Sequence, residues 1–174
     1  VDEADGAEKP AAFFDQLEAD HDAVILTAAI GDTPWFRLST RQADRIWVLA
    51  RSDARPSTPL MPEDTSPAQR LKLIDIILIH PGAERRASRP QEWLQAAGAK
   101  RLFHWQGDAG ADAMRLARIM TGRSVGLVLS GGGARAYSHI GAIRAIRELG
   151  IPIDFAGGAS MGAVVAACVA IGWD

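Results

Sequence analysis

Two small-residue turns, each entered from a short apolar run and left into a helical pattern, constrain this chain more than any other feature. Residues 124–136 read SVGLVLSGGGARA, and residues 157–163 read GGASMGA. The run 125–129 predicts a buried strand that feeds straight into Gly131, Gly132 and Gly133. From residue 134 to 149 the period becomes helical. Ile140, Ile143, Ile146 and Leu149 share one face, Arg144, Arg147 and Glu148 lie elsewhere, and Gly150 closes the segment. Residues 153–156 then read as the next strand. A strand, a crossover helix and a strand must form a right-handed parallel unit, so both small-residue turns are expected at the same edge of one sheet.

The second turn contains Gly158-Ala159-Ser160-Met161-Gly162, the pattern Gly-x-Ser-x-Gly, at a place where a strand passes sharply into a helix. A serine at the tip of such a turn is held in a strained conformation, and its glycine neighbours are small because strand and helix pass close by. Residues 163–171 are almost wholly apolar, which predicts a buried helix whose positive end faces Ser160. A hydroxyl so placed can carry an acyl group. Acyl transfer also needs donors for the oxyanion that develops on the carbonyl oxygen, and the backbone N–H groups of Gly131, Gly132 and Gly133 can approach closely because no Cβ intervenes.

The pair Gly-Gly-Gly-Ala-Arg and Gly-Ala-Ser-Met-Gly resembles the patatin-like phospholipases, and most closely their neuropathy target esterase branch with its bacterial relatives. Arg41-Gln42-Ala43-Asp44, Leu78-Ile79-His80 and Arg115-Leu116-Ala117-Arg118 also resemble the stretch that precedes the catalytic domain in that branch. The resemblance implies Ser160 as nucleophile, Gly131, Gly132 and Gly133 as oxyanion hole, Arg135 as the basic residue supporting that loop, and Gly158 and Gly162 as the elbow glycines. It implies hydrolysis of phospholipid or lysophospholipid acyl esters at a membrane surface, without cofactor, metal or nucleic acid. It further implies a cytoplasmic location, peripheral at the inner membrane, and an upstream cyclic-nucleotide-binding domain in the full protein. Residues 122–174 would be the N-terminal part of the catalytic domain and residues 1–121 an α/β region preceding it. Two departures stand out. Ala136 replaces the glycine that usually follows the basic residue. The family's base, an aspartate in Asp-Gly-Gly or Asp-Gly-Ala, lies downstream of the serine, whereas Asp5-Gly6-Ala7 lies upstream and is read as a decoy; the chain as given is therefore expected to be inactive.

A second reading competes for the first turn. Gly131, Gly133 and Ala136 also satisfy the dinucleotide fingerprint, with Asp154 near the distance expected of a ribose-binding acid, so a Rossmann-like nucleotide-binding or regulatory module is the alternative. Against it, Asp154 would start its strand, whereas the ribose acid belongs at a strand's end. His139 lies near the glycine loop, but no carboxylate is placed to orient it, so a packed or capped histidine is expected. His21, His80 and His104 lack metal-ligand spacing. Trp35 and Trp93 are expected half-buried on helices.

The net charge of −2 offers no bulk basic field for nucleic acid, and Arg85, Arg86 and Arg89 read as a solvated loop. Cys168 is the sole cysteine, a packed thiol in the helix after Ser160, so neither an internal disulfide nor a cysteine metal site can form. The acidic start carries no secretory signal, and the longest apolar run is about half a membrane span, which predicts a soluble, reducing compartment. Further helices are expected at 10–19, 35–42, 90–97 and 111–121, the last with Met114, Leu116, Ala117 and Met120 as its apolar side. Strands are expected at 23–30, 45–50, 71–79 and 101–105, with 51–67 as a surface loop inserted in one sheet. Strands and helices alternate throughout, which predicts an α/β fold of three layers with a mostly parallel sheet and Rossmann-like crossovers.

Overall fold

A computed structural model describes residues 5–57, 60–61, 72–82, 89–107 and 110–173, with side chains from residue 12 onward. The chain forms two compact units, Val1–Ala109 and Gly110–Asp174. The expected loop at 51–67 lies partly outside the described residues, as do Arg85 and Arg86.

In the first unit, helix α1 (Asp5–Asp20) buries Phe14, while Phe13 remains 59% exposed. Helix α2 (Pro34–Gln42) starts where Thr33 accepts a hydrogen bond from the Phe36 amide at 3.1 Å, with Pro34 in the first turn where its missing N–H costs nothing. Strands β1 (Arg45–Arg51), β2 (Leu73–His80) and β3 (Arg101–Gln106) pair in parallel in that order, with Ile46 opposite Ile74 and Ile76 opposite Leu102. A central parallel strand is covered on both faces, hence the unbroken burial of Asp75, Ile76, Ile77 and Leu78. Asp75 is tolerated there because Arg101 on β3 donates two bonds of 2.8 Å to it and the Trp47 indole on β1 donates a third at 3.2 Å. Helix α3 (Pro90–Ala97) places Trp93 and Ala97 on the core of Val48, Leu60, Ile76 and Leu78.

The strand expected at 23–30 is not formed. A strand needs a paired neighbour, and this Ala-rich stretch, with Ile25 and Ile30 exposed, is held instead by local contacts such as the Trp35 indole bond to the Thr27 carbonyl at 2.8 Å.

The second unit contains α4 (Gly110–Met120), β4 (Gly126–Leu129), a 3-10 turn (Gly133–Tyr137), α5 (Ser138–Glu148), β5 (Phe155–Gly158) and α6 (Met161–Ala170). β4 and β5 are parallel, Gly126 opposite Phe155 and Leu129 opposite Gly158. The core gathers Leu129, Ile143 and Ala166, flanked by Leu127, Ile153, Ala156, Val165 and Val169. The fold class is thus α/β, with parallel sheets and interleaved helices of the Rossmann-like three-layer kind. The strands fall into two sheets rather than one.

Three faces differ from expectation. On α4 the buried side is Asp112, Leu116 and Ile119, an i, i+4, i+7 stripe, and Met114 and Met120 face outward. On α5 only Ile143 is fully buried, Ile140 and Leu149 being 57% and 75% exposed. Helix α6, apolar all round and expected to be buried, is covered on one side by Leu129 and Ile143 while Val164 stays 57% exposed. Two strands and one crossover helix are too narrow to cover every apolar face they present.

Candidate active site

β5 ends at Gly158 and α6 begins at Met161, leaving only Ala159 and Ser160 to reverse the chain. The Ala159 amide extends the ladder by donating to the Leu129 carbonyl at 3.1 Å, and the Gly162 amide donates back to the Ala159 carbonyl at 3.0 Å. Between these bonds Ser160 is forced to φ 52° and ψ −127°. Arg89 is the only other non-glycine residue with positive φ among the described residues. Such a conformation costs about 1–3 kcal/mol and persists only where the surroundings over-determine it. The Ser160 side chain is exposed at the turn.

The flanking glycines are dictated by contact. A methyl group on Gly158 would lie 2.6 Å from the Gly162 carbonyl and 2.7 Å from the Leu129 carbonyl, and one on Gly162 would collide with the Leu129 and Ser130 carbonyls. The elbow therefore closes only with both positions bare.

The parallel crossover brings the triglycine turn to the same sheet edge. A methyl group on Gly131 would lie 3.1 Å from the Ser160 Cβ and 3.3 Å from the Ala159 carbonyl. The amides of Gly131, Gly132 and Gly133 donate to no acceptor among the described residues, and the three residues are exposed. The Arg135 amide donates to the Gly132 carbonyl at 3.1 Å, which tightens the turn, and the Arg135 side chain is exposed. Ala136 is 1% exposed, so the methyl group that replaces the usual hydrogen is packed within the unit. Serine hydroxyl and unengaged amides thus share one edge, a layout able to hold an ester carbonyl at a nucleophile.

His139 is partly buried on the first turn of α5, its Nε2 lying 2.9 Å from the Ser130 carbonyl. It caps the loop, as expected, and no hydrogen bond links it to Ser160.

Asp154 occupies the opposite end of the two strands. It is 3% exposed, accepts from Arg118 Nη2 at 2.6 Å and Nε at 2.9 Å, and accepts from the Val125 amide at 2.9 Å. Its own amide donates to the Val125 carbonyl at 2.8 Å, and Arg115 holds its carbonyl at 2.6 Å. Arg118 above all, with the Val125 amide, keeps the carboxyl below the usual carboxylate range, while burial works the other way. Asp154 is thus a structural anchor that aligns β4 with β5, and its oxygens are engaged, which weakens the ribose-binding reading. The sequence signal for this anchor was a lone acid in an apolar run and two arginines three apart on one helix.

The remaining candidates scatter. Cys168 is partly buried and free. His21 lies 3.0 Å from the Leu17 carbonyl, and His80 contacts His104 at 2.8 Å. Trp93 is 5% exposed and Trp35 45%. Arg89 pairs with Glu92 at 2.9 Å, and Asp5-Gly6-Ala7 falls in α1. Among the described residues no three His, Cys, Asp or Glu side chains gather as metal ligands, and no helix is long and apolar enough to cross a membrane.

Two family models match the chain. One, described as patatin-like phospholipase, covers residues 127–174; the other, described as the neuropathy target esterase family P-loop like domain, covers residues 4–107. None of Lys9, Lys72 and Lys100 stands in a Gly-Lys-Ser/Thr sequence, so no phosphate-cradling loop of that type is spelled there. The patatin-like phospholipase domain-containing protein 6 of Homo sapiens is 30% identical over 181 residues, covering 89% of this chain and 13% of that protein. The patatin-like phospholipase domain-containing protein 7 of Rattus norvegicus is 32% identical with the same coverage. The neuropathy target esterase sws of Drosophila persimilis is 34% identical over 167 residues, 78% of this chain and 11% of that protein. The chain therefore spans 11–13% of the length of these curated relatives. No solved structure matches.

Proposed function

The chain belongs to the neuropathy target esterase family of patatin-like phospholipases, and from that premise we propose that its second unit supplies the nucleophile and oxyanion donors of a serine hydrolase acting on phospholipid or lysophospholipid esters. The observation that carries the reading is the strained, exposed Ser160 beside Gly131, so near that a methyl group on the glycine would lie 3.1 Å from the serine Cβ.

In the proposed reaction the Ser160 Oγ attacks the ester carbonyl carbon while its proton passes to an aspartate supplied by polypeptide downstream of this sequence. The amides of Gly131, Gly132 and Gly133 hold the oxyanion, Arg135 supports their loop, and Gly158 and Gly162 let the elbow close. Collapse expels the alcohol, which takes the proton, and water then releases the acid from Ser160 by the same sequence in reverse. The N-terminal end of α6 adds its dipole to this stabilisation. Residues 1–174 alone lack that base and are proposed to be inactive on a short-chain nitrophenyl ester. In the full protein, residues 1–121 are proposed to be a module preceding the catalytic domain, which works at a membrane surface facing the cytoplasm.

The test is fatty-acid release from lysophosphatidylcholine and phosphatidylcholine vesicles by the full-length protein, with Ser160→Ala alongside. Release that the alanine variant loses supports the reading; equal release by both variants, or none by either, refutes it.

A further inference from the structure

His139 is not part of the reaction proposed above, yet its contact falls on the peptide unit that governs that reaction. The Ser130 carbonyl and the Gly131 N–H belong to one planar trans peptide, so fixing the carbonyl fixes the amide to point the opposite way. The His139 Nε2 lies 2.9 Å from that carbonyl oxygen, and because a carbonyl can only accept, Nε2 carries the proton and donates. The same oxygen faces the Cα of Gly162, where a methyl group would collide with it. The carbonyl is therefore seated between His139 and the start of α6, and the Gly131 N–H is directed away from both.

Nothing in the turn itself would keep it so. Glycine takes either sign of φ at little cost, so the Ser130–Gly131 peptide can flip with small penalty and would then present a carbonyl where the donor should be. A hydrogen bond to the carbonyl also polarises the peptide and strengthens its N–H as a donor.

We infer that His139 is a positioning residue for the oxyanion hole: its Nε2–H holds the Ser130–Gly131 peptide in the one orientation that leaves the Gly131 amide free for the oxyanion. The inference rests on the esterase reading. It assigns His139 no contact with substrate and no proton transfer.

Glutamine and methionine match each other in length at this position, and only glutamine keeps an N–H donor at the ε position. The experiment compares His139→Gln and His139→Met in the full-length protein on a nitrophenyl ester, with active sites counted by fluorophosphonate titration so that misfolded protein does not enter kcat. The methionine variant is expected to lose about ten- to hundredfold in kcat with KM unchanged, less than the roughly 10²- to 10³-fold loss on removing an oxyanion donor outright. The glutamine variant is expected to recover most of that loss. Equal kcat in the two variants, or a loss confined to KM, overturns the inference while leaving Ser160-dependent hydrolysis intact. If the methionine variant yields no titratable sites, a glutamine variant within about threefold of the unmutated kcat supports the inference and one more than tenfold below it overturns it. Absence of Ser160-dependent hydrolysis in the unmutated protein overturns the esterase reading, and this inference with it.

Discussion

Arg118 grips Asp154 through the Nε–Nη2 edge of its guanidinium, Nη2 to Oδ1 at 2.6 Å and Nε to Oδ2 at 2.9 Å, at the end of the sheet remote from Ser160. The carboxylate is buried, so removing it leaves the partly buried Arg118 guanidinium without its partner and frees the Val125 amide. Asp154→Ala is expected to cost about 3–5 kcal/mol in urea unfolding of the chain. The carboxyl is lowered in the folded state, chiefly by Arg118, so it contributes stability above its unfolded pKa and loses it as pH falls. Stability should decline as pH drops below about 4, the ordinary aspartate value, and Asp154→Asn should remove this contribution to the acid limb. An unchanged acid limb in the asparagine variant contradicts the assignment.

Gly162→Ala places a methyl group against the Leu129 and Ser130 carbonyls, and backbone cannot yield as a side-chain tip can. The variant is expected to lose at least the 1–3 kcal/mol typical of overpacking, or to fail to fold, and its Ser160 should no longer react with a fluorophosphonate. Unaltered melting and labelling would show that strand and helix are not in contact at this point.

Ser160 holds positive φ at the expense of stability. Ser160→Gly relieves that strain, offset in part by the extra freedom of glycine in the unfolded chain, so it should exceed Ser160→Ala in stability by about 1 kcal/mol while both are inactive. A glycine variant less stable than the alanine variant, by differential calorimetry, would argue against a strained elbow.

In the first unit Asp75 is 2% exposed between Arg101 and the Trp47 indole. Asp75→Ala is expected to destabilise by about 1–3 kcal/mol, because the hydrogen bonds made by the buried carboxylate are lost while the partly exposed Arg101 returns to water. A loss under about 1 kcal/mol, the worth of an exposed pair, would place this ion pair in solvent.

What the sequence disclosed, and what it did not, follows from the range of the forces involved. The elbow, the triglycine turn and their shared edge were legible because strand, helix and strand in succession admit one hand of crossover. Thr33 and Gly98 cap their helices through partners only a few positions away, which is the range over which a local pattern carries information. The anchoring role of Asp154 was not legible because its partners, Arg115 and Arg118, lie 39 and 36 positions away, beyond any local pattern. The non-strand at 23–30 failed for a related reason: apolar composition there signals burial or pairing, and which of these it finds is decided by distant segments. The outward turn of Met114, Ile140 and Val164 reflects faces broader than two strands can cover.

The central claim is that the hydroxyl at the elbow is the reactive group of a serine hydrolase. The most direct measurement is incubation of the full-length protein with a fluorophosphonate probe, followed by mass spectrometry of the peptide that carries the adduct. Phosphonylation of Ser160 alone, abolished in Ser160→Ala, is the expected result. A probe that leaves Ser160 unmodified, or that labels the alanine variant as fully as the unmutated protein, would contradict the account.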